Sequence, residues 1–235
     1  MKSSLVDYPG MIAAVVFTPG CNLRCSYCHN PVLRDADSEA SGRTQEEVLS
    51  WLGGRRGLLD AVVVSGGEPT IQRGIAEFMA EVRALGYLVK LDTNGTQPDV
   101  LASLIDAGVL DYVGMDIKAP AEKYDEICGV SVDQGAIDES IALLMEGSVD
   151  HEFRTTVIPQ LTPEDLLTMG NRIRCARTYV LQRYRRPQAG RSSDSPGSVP
   201  ADRTPPWIEA VRQRLGSLVE NCVVRGFGFT CIRST

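Results

Sequence analysis

The chain has 235 residues, 43% of them hydrophobic, which is enough to bury one full-sized core on the scale of an α/β barrel. A formal net charge of −6 leaves no broad positive field, so neither DNA nor RNA is expected as a partner. No apolar run is long enough to span a bilayer, and Asp7 and Pro9 interrupt the stretch where a secretory signal would lie, so no membrane partner and a cytoplasmic location are expected.

Met11 to Phe17 (MIAAVVF) is apolar without strict alternation, the pattern of a parallel strand covered on both faces. It runs into Cys21-Asn22-Leu23-Arg24-Cys25-Ser26-Tyr27-Cys28. Seven cysteines are an odd count in a chain too long to need disulfide staples, and three in one loop point to a reducing compartment and metal chemistry. A four-iron cluster ordinarily takes four cysteines, so three leave one iron open for a small molecule to bind and react. The competing reading is zinc, which wants four ligands, usually in two paired arms; His29, directly beside Cys28, is poorly placed to close that tetrahedron. Cys128, Cys175, Cys222 and Cys231 show no paired spacing and read as small buried hydrophobes, with ligation of a second cluster as the sharper alternative.

Thr44 and Glu47 form a capping-box pattern for a helix through about Leu52. A second buried strand, Ala61 to Val64, ends in Ser65-Gly66-Gly67-Glu68. A helix from about Ile75 to Leu85 leads to strand Leu88 to Leu91 and the tripeptide Asp92-Thr93-Asn94. A helix from Pro98 to Asp106 is followed by strand Asp111 to Met115 and then Asp116-Ile117-Lys118. A helix near Ile137 to Met145, strand Glu152 to Ile158, helix Pro163 to Arg174 and strand Tyr179 to Gln182 continue the series. From Val64 to Leu91 is 27 residues and from Leu91 to Met115 is 24, the cadence of βα units and hence of a parallel sheet. In barrels of this type the active site lies at the carboxyl ends of the strands. The cysteine loop, Glu68, Asp92, and Asp116 with Lys118 all occupy such ends.

Gly66 and Gly67 suit a place where backbone approaches a ligand closely, against the plainer reading of a helix-capping turn. Asp92, Thr93 and Asn94 could likewise cap a helix. Arg154 is a charge between apolar neighbours in a strand; turned inward it would suit a bound carboxylate, turned outward it is surface. From residue 185 to 206 Arg, Ser, Pro and Gly dominate, which predicts a mobile connector, or alternatively a lid or docking segment. The domain reading is therefore a core over 1–184, a flexible loop over 185–206, and a C-terminal helix and strand over 207–235 that pack on the core, with the helix from Trp207 to Val219 and the strand from Cys222 to Phe227.

The cysteine loop, with Tyr27 just before its last cysteine, resembles the cluster motif of the radical S-adenosylmethionine (SAM) superfamily. That resemblance implies a partial (β/α)6 TIM-like barrel with parallel strands. It further implies a 4Fe-4S cluster on Cys21, Cys25 and Cys28, and SAM chelating the open iron through its amino and carboxylate groups. Gly66, Gly67 and Glu68 would receive the methionine amino group, Tyr27 would lie against the adenine, and Arg154 would face the cofactor carboxylate. Asp-Thr-Asn-Gly at the third strand's end with Met-Asp-Ile-Lys at the fourth resembles the glycyl-radical-enzyme activases. The nearest likeness is to activating proteins of anaerobic ribonucleoside-triphosphate reductase, with pyruvate formate-lyase activating enzymes as relatives. This places Asp92 and Asn94 on the cofactor side and Asp116 and Lys118 at the reacting substrate. It implies a glycyl radical enzyme as protein partner and flavodoxin or ferredoxin as electron donor. The hard oxygens there also suit a cation, a monovalent one being the candidate. A small-molecule radical SAM enzyme, for example one of deazapurine synthesis, would share the core and differ in the pocket.

Overall fold

The apolar runs become strands of one eight-stranded sheet in the computed structural model, which describes residues 2–35, 42–184 and 206–226. The strands are β1 (Lys2–Ser4), β2 (Ala13–Thr18), β3 (Ala61–Gly66), β4 (Leu88–Thr93), β5 (Tyr112–Asp116), β6 (Asp150–Val157), β7 (Tyr179–Arg183) and β8 (Cys222–Arg225). They lie side by side in chain order, parallel throughout except that β1 runs antiparallel to β2. The six strands of the expected βα series are β2 to β7. The outer strands β1 and β8 extend the sheet at its two edges without joining, so the barrel is partial and open. β1 escapes a sequence reading because Lys2-Ser3-Ser4 carries no apolar signature.

The helices are α1 (Pro31–Arg34), α2 (Gln45–Gly53), α3 (Ile75–Ala84), α4 (Pro98–Asp106), α5 (Tyr124–Cys128), α6 (Gln134–Glu146), α7 (Pro163–Arg172) and α8 (Pro206–Leu215). The Thr44–Glu47 capping box forms as the sequence predicts, and Thr162 with Asp165 makes a second one at α7. In α4, Leu101 and Leu104 sit three apart on the buried face, and burial of side chains of this size contributes about 2 kcal/mol each. α1 and α5 are too short to show helical periodicity, which is why neither was expected. Among the described residues no helix is long and apolar enough to cross a membrane. Residues 185–205, the expected connector, and Cys231 lie outside the described residues, as does Phe227. α8 contributes Ile208, Val211 and Leu215 to the main core, and β8 pairs with β7.

The pleat sorts side chains between two faces. Ala14, Val16, Val62, Val64, Val89 and Leu91 point outward into the main core with the helices. On the inner face, Ala13, Val15, Ala61 and Val63 form a smaller apolar cluster with Tyr8, whose ring packs on Tyr112 at 5.5 Å. Further round, the inner face of β4 to β6 carries charge instead: Lys90, Asp92, Asp116, Glu152 and Arg154. That change of lining positions the site.

Candidate functional site

A cleft of about 240 Å³ opens at the carboxyl ends of the strands. It is lined by Cys21, Cys25 and Cys28; Tyr27; Gly66, Gly67 and Glu68; Asp92 and Asn94; Asp116 and Lys118; and Arg154. Residues 133 positions apart in the chain meet there because each follows or ends a neighbouring strand.

The cysteine loop is pinned by backbone. Arg24 N donates to Cys128 O (2.8 Å) and Ser26 N to Ile127 O (3.3 Å), so the C-terminus of α5 holds the middle of the loop. Glu68 N donates to Gly20 O (2.8 Å) and Gly67 N to Thr18 O (2.9 Å), which ties the loop to the turn after β3. This contact accounts for the two glycines. A Cβ on Gly67 would overlap the Gly20 carbonyl, and one on Gly66, whose φ is +123°, would overlap the Thr18 backbone. The close approach they permit is to the neighbouring loop, while the opposite side of the same backbone faces the cleft.

Glu68 is 1% exposed, yet its carboxylate is fully engaged. Oε1 accepts from Thr70 N (3.1 Å), Thr70 Oγ1 (2.6 Å) and Thr93 Oγ1 (2.7 Å), and Oε2 accepts from Asn94 N (2.8 Å). Burial holds this carboxyl above its usual range, although the four donors pull against it. Each oxygen faces a backbone N–H that cannot reverse its role, so the geometry is built for the ionised form. Asn94 continues the chain of bonds: its Nδ2 donates to Asn22 Oδ1 (2.9 Å) inside the cysteine loop, and Asn22 Nδ2 donates to Thr96 Oγ1 (2.7 Å). Glu68 and Asn94 thus lock three strand ends together.

Arg154 points inward, where its Nη1 donates to Asp92 Oδ1 (2.7 Å) and its Nε to Asp116 Oδ1 (2.9 Å). Of the two orientations the sequence leaves open it takes the inward one, and there it bridges two of the chain's own carboxylates. Gly114, which the sequence reading passed over, makes room: a Cβ there would stand 2.8 Å from both Arg154 Nη1 and Asp92 Oδ1. Lys118 Nζ donates to Asp116 Oδ2 (2.8 Å). Burial alone would raise the Asp116 carboxyl, but Arg154 and Lys118 outweigh it and draw it down to about 2. The same attraction lifts Lys118 well above its ordinary range despite burial. Arg154 thus supplies positive charge beside both carboxylates, and Lys118 adds to it at Asp116.

Cys25 is nine-tenths buried, and its thiol is drawn down to about 6, first by a hydrogen bond from Cys128 and against burial, with Lys118 adding to the effect. Cys128 is fully buried behind Cys25 at the end of α5, a contact that the reading as a small hydrophobe did not anticipate. Burial raises the Cys21 thiol. Among the described residues no three of His, Cys, Asp and Glu converge on a single metal-ion position. Tyr27 is buried and meets Tyr184 edge-on at 6.5 Å. Thr156 and Gln182 also line the cleft from the ends of β6 and β7, and extending the strand-end rule to those two strands would have found them.

Comparison with known proteins adds the following. A family profile, the Radical SAM superfamily, matches residues 15–173. A Methanocaldococcus jannaschii protein, provisionally named a glycyl-radical enzyme activating enzyme, is 34% identical over 187 residues, covering 77% of this chain and 76% of that protein. A 7-carboxy-7-deazaguanine synthase of Methanopyrus kandleri is 33% identical over 133 residues, which is 48% of this chain and 52% of the synthase, so the chain spans about half the length of that relative. Among solved structures, Streptococcus suis SuiB bound to S-adenosylmethionine shares the fold, with a TM-score of 0.66 at 13% identity over 91% of this chain and 50% of SuiB.

Proposed function

From its place in the radical SAM superfamily, to which this chain belongs, we propose that it is an activating enzyme that generates a glycyl radical on a partner protein, anaerobic ribonucleoside-triphosphate reductase being the foremost candidate. The observation that carries the reading is the 34% identity to a relative named as such an activating enzyme, extending over three quarters of both chains.

The donor set fits the group this family carries. Cys21, Cys25 and Cys28 would hold a 4Fe-4S cluster and leave one iron for the amino and carboxylate groups of SAM. Cys25, drawn toward its thiolate, is the form that binds iron. When bound, these cofactors supply a one-electron split of the SAM sulfonium into methionine and a 5′-deoxyadenosyl radical, which takes a Cα hydrogen from a glycine. The chain's own residues place and shield. The backbone of Gly66 and Gly67 would receive the methionine amino group, held in place by Glu68 from behind. Tyr27 would lie against the adenine. Arg154 holds Asp92 and Asp116 together, and Lys118, paired with Asp116, would stand at the substrate side. The buried apolar cluster on the inner face of β2 and β3 would help to keep water from the cleft. Flavodoxin or ferredoxin would supply the electron.

The test is to incubate the reduced, iron-reconstituted chain and SAM with purified glycyl radical enzymes and record electron paramagnetic resonance spectra. A glycine-centred doublet on the reductase is expected. If none of the partners shows a doublet while 5′-deoxyadenosine still accumulates, the second reading takes over: a small-molecule enzyme, favoured by the 33% identity to a deazaguanine synthase across half of the chain.

A further inference from the structure

Below the cleft, on the same inner face, lies a lysine that no motif marks. Lys90 is 1% exposed and precedes Asp92 by two residues on β4, so the pleat turns both side chains inward. Its ammonium donates to Asp7 O (2.6 Å) on the N-terminal segment and to Glu152 Oε1 (3.3 Å), and stands 3.7 Å from Asp92 Oδ1. Glu152, with 0% exposure, is gripped from its other side by Arg225 of β8, through Nη1 (3.0 Å) and Nη2 (2.7 Å). A line of alternating charge thus runs from Asp92 in the cleft through Lys90 and Glu152 to Arg225 on the outermost described strand.

We propose that Lys90, Glu152 and Arg225 are positioning residues that set the place of Asp92, and so couple the seating of the N-terminal segment and of β8 to SAM binding in the cleft. Asp92 Oδ1 lies between two cations, Arg154 at 2.7 Å and Lys90 at 3.7 Å. Glu152 competes with Asp92 for Lys90, and the two-pronged grip of Arg225 on Glu152 lessens that competition. Without Arg225, Glu152 keeps its hydrogen bond to Lys90 and the more distant attraction of Arg154, and draws Lys90 from Asp92. Without Lys90, Asp92 answers to Arg154 only and shifts toward it. A buried ammonium is costly to retain where an apolar chain would fill the space, and this one joins both ends of the chain to the cleft. The inference rests on reading the cleft as the SAM site and is independent of which protein partner is activated.

The experiment measures SAM affinity by equilibrium dialysis, together with thermal unfolding, on the full-length reconstituted chain and its variants Lys90→Met, Lys90→Met/Glu152→Gln, Arg225→Gln and Asp92→Asn. Lys90→Met is expected to lower the melting temperature and to weaken SAM binding about tenfold, the scale at which a network residue without ligand contact acts. The double variant leaves no buried charge unpaired, since Arg225 is 35% exposed and can hydrate, so its melting temperature recovers while SAM binding stays weak. Arg225→Gln, at the sheet edge, folds and weakens SAM binding severalfold. If affinity returns together with stability in the double variant, the three residues are structural only and the proposal fails. It fails equally if Arg225→Gln binds SAM like the parent, a result that stands even should Lys90→Met not fold. Asp92→Asn separates the two levels: unchanged affinity there removes the cleft reading itself, whereas weakened affinity there beside normal affinity in Arg225→Gln removes the positioning proposal alone.

Discussion

Replacing Glu68 by Gln tests whether the buried carboxylate is the clamp of the site. The substitution preserves shape and removes charge, so what changes is hydrogen-bond polarity. A carboxylate accepts on both oxygens, and here each oxygen meets a backbone N–H, Thr70 N at 3.1 Å and Asn94 N at 2.8 Å. Gln carries one oxygen and one NH2 group, so whichever way it turns, a donor faces a donor. A buried donor left without an acceptor costs ~1–3 kcal/mol, and a bond to a charged acceptor contributes ~1.5–3 kcal/mol. Release from burying a charge offsets part of this, leaving a net loss of about 2 kcal/mol. With an m-value of about 3 kcal/mol/M in urea, the unfolding midpoint of the cluster-free protein should fall by about 0.7 M. Because Asn94 passes the clamp on to Asn22, the cysteine loop should loosen as well, so the iron and sulfide retained per chain after reconstitution should fall below those of the parent, read by iron and sulfide analysis. A variant with the parent's midpoint and the parent's iron content would refute the clamp.

The other expectations are as follows. Gly67→Ala puts a methyl group into the Gly20 carbonyl, so the cysteine loop must shift; the visible absorbance of the reconstituted cluster should be largely lost, and full absorbance would count against the loop contact. Gly114→Ala intrudes on the Arg154–Asp92 pair and should destabilise the chain by ~1–3 kcal/mol in urea unfolding, with weaker SAM binding alongside. Arg154→Lys replaces a planar fork with a single ammonium that cannot hold Asp92 and Asp116 together, so 5′-deoxyadenosine release should slow by roughly tenfold or more with little change in far-ultraviolet circular dichroism. Asp116 has its folded value depressed to about 2, so the stability it contributes is complete above the unfolded carboxylate value near about 4 and is lost as pH falls through about 2. The gap between the parent and Asp116→Asn should therefore narrow by about 2 kcal/mol across that window in urea titrations, and a gap independent of pH would contradict the pairing.

Much of the site was readable because strands buried on both faces become apolar runs, against which a polar residue at the strand end stands out. Cys21 stands out by the cysteine spacing and Glu68 by the glycines before it; with Asp92 and Asp116 they fall at such strand ends, and all four line one cleft. Pairings across the sheet were not readable. Lys90 and Glu152 are 62 positions apart, and alternation along a strand cannot say which face is inward. The contact of Cys128 with Cys25 is hidden for the same reason: α5 is five residues long, and nothing local marks its last residue as a neighbour of the loop. Gly66 and Gly67 were legible as a close approach, but not as an approach to the backbone of Thr18 and Gly20.

The inner face of the sheet divides into two halves that correspond to two tasks. β2 and β3, which carry the cysteine loop and the glycine turn, are lined below by Ala13, Val15, Ala61 and Val63 under the cover of Tyr8. β4 to β6, which carry the carboxylates and Arg154, are lined by further charge reaching down to Glu152. An apolar floor lowers the local dielectric and strengthens any charge placed above it. An ionic floor does something different, since each carboxylate is held by cations from below and need not reorganise when a ligand arrives above. If hydrocarbon lay beneath β4 to β6 instead, burial would push Asp116 toward protonation with no cation to oppose it. The division therefore follows from the charge each strand end must keep.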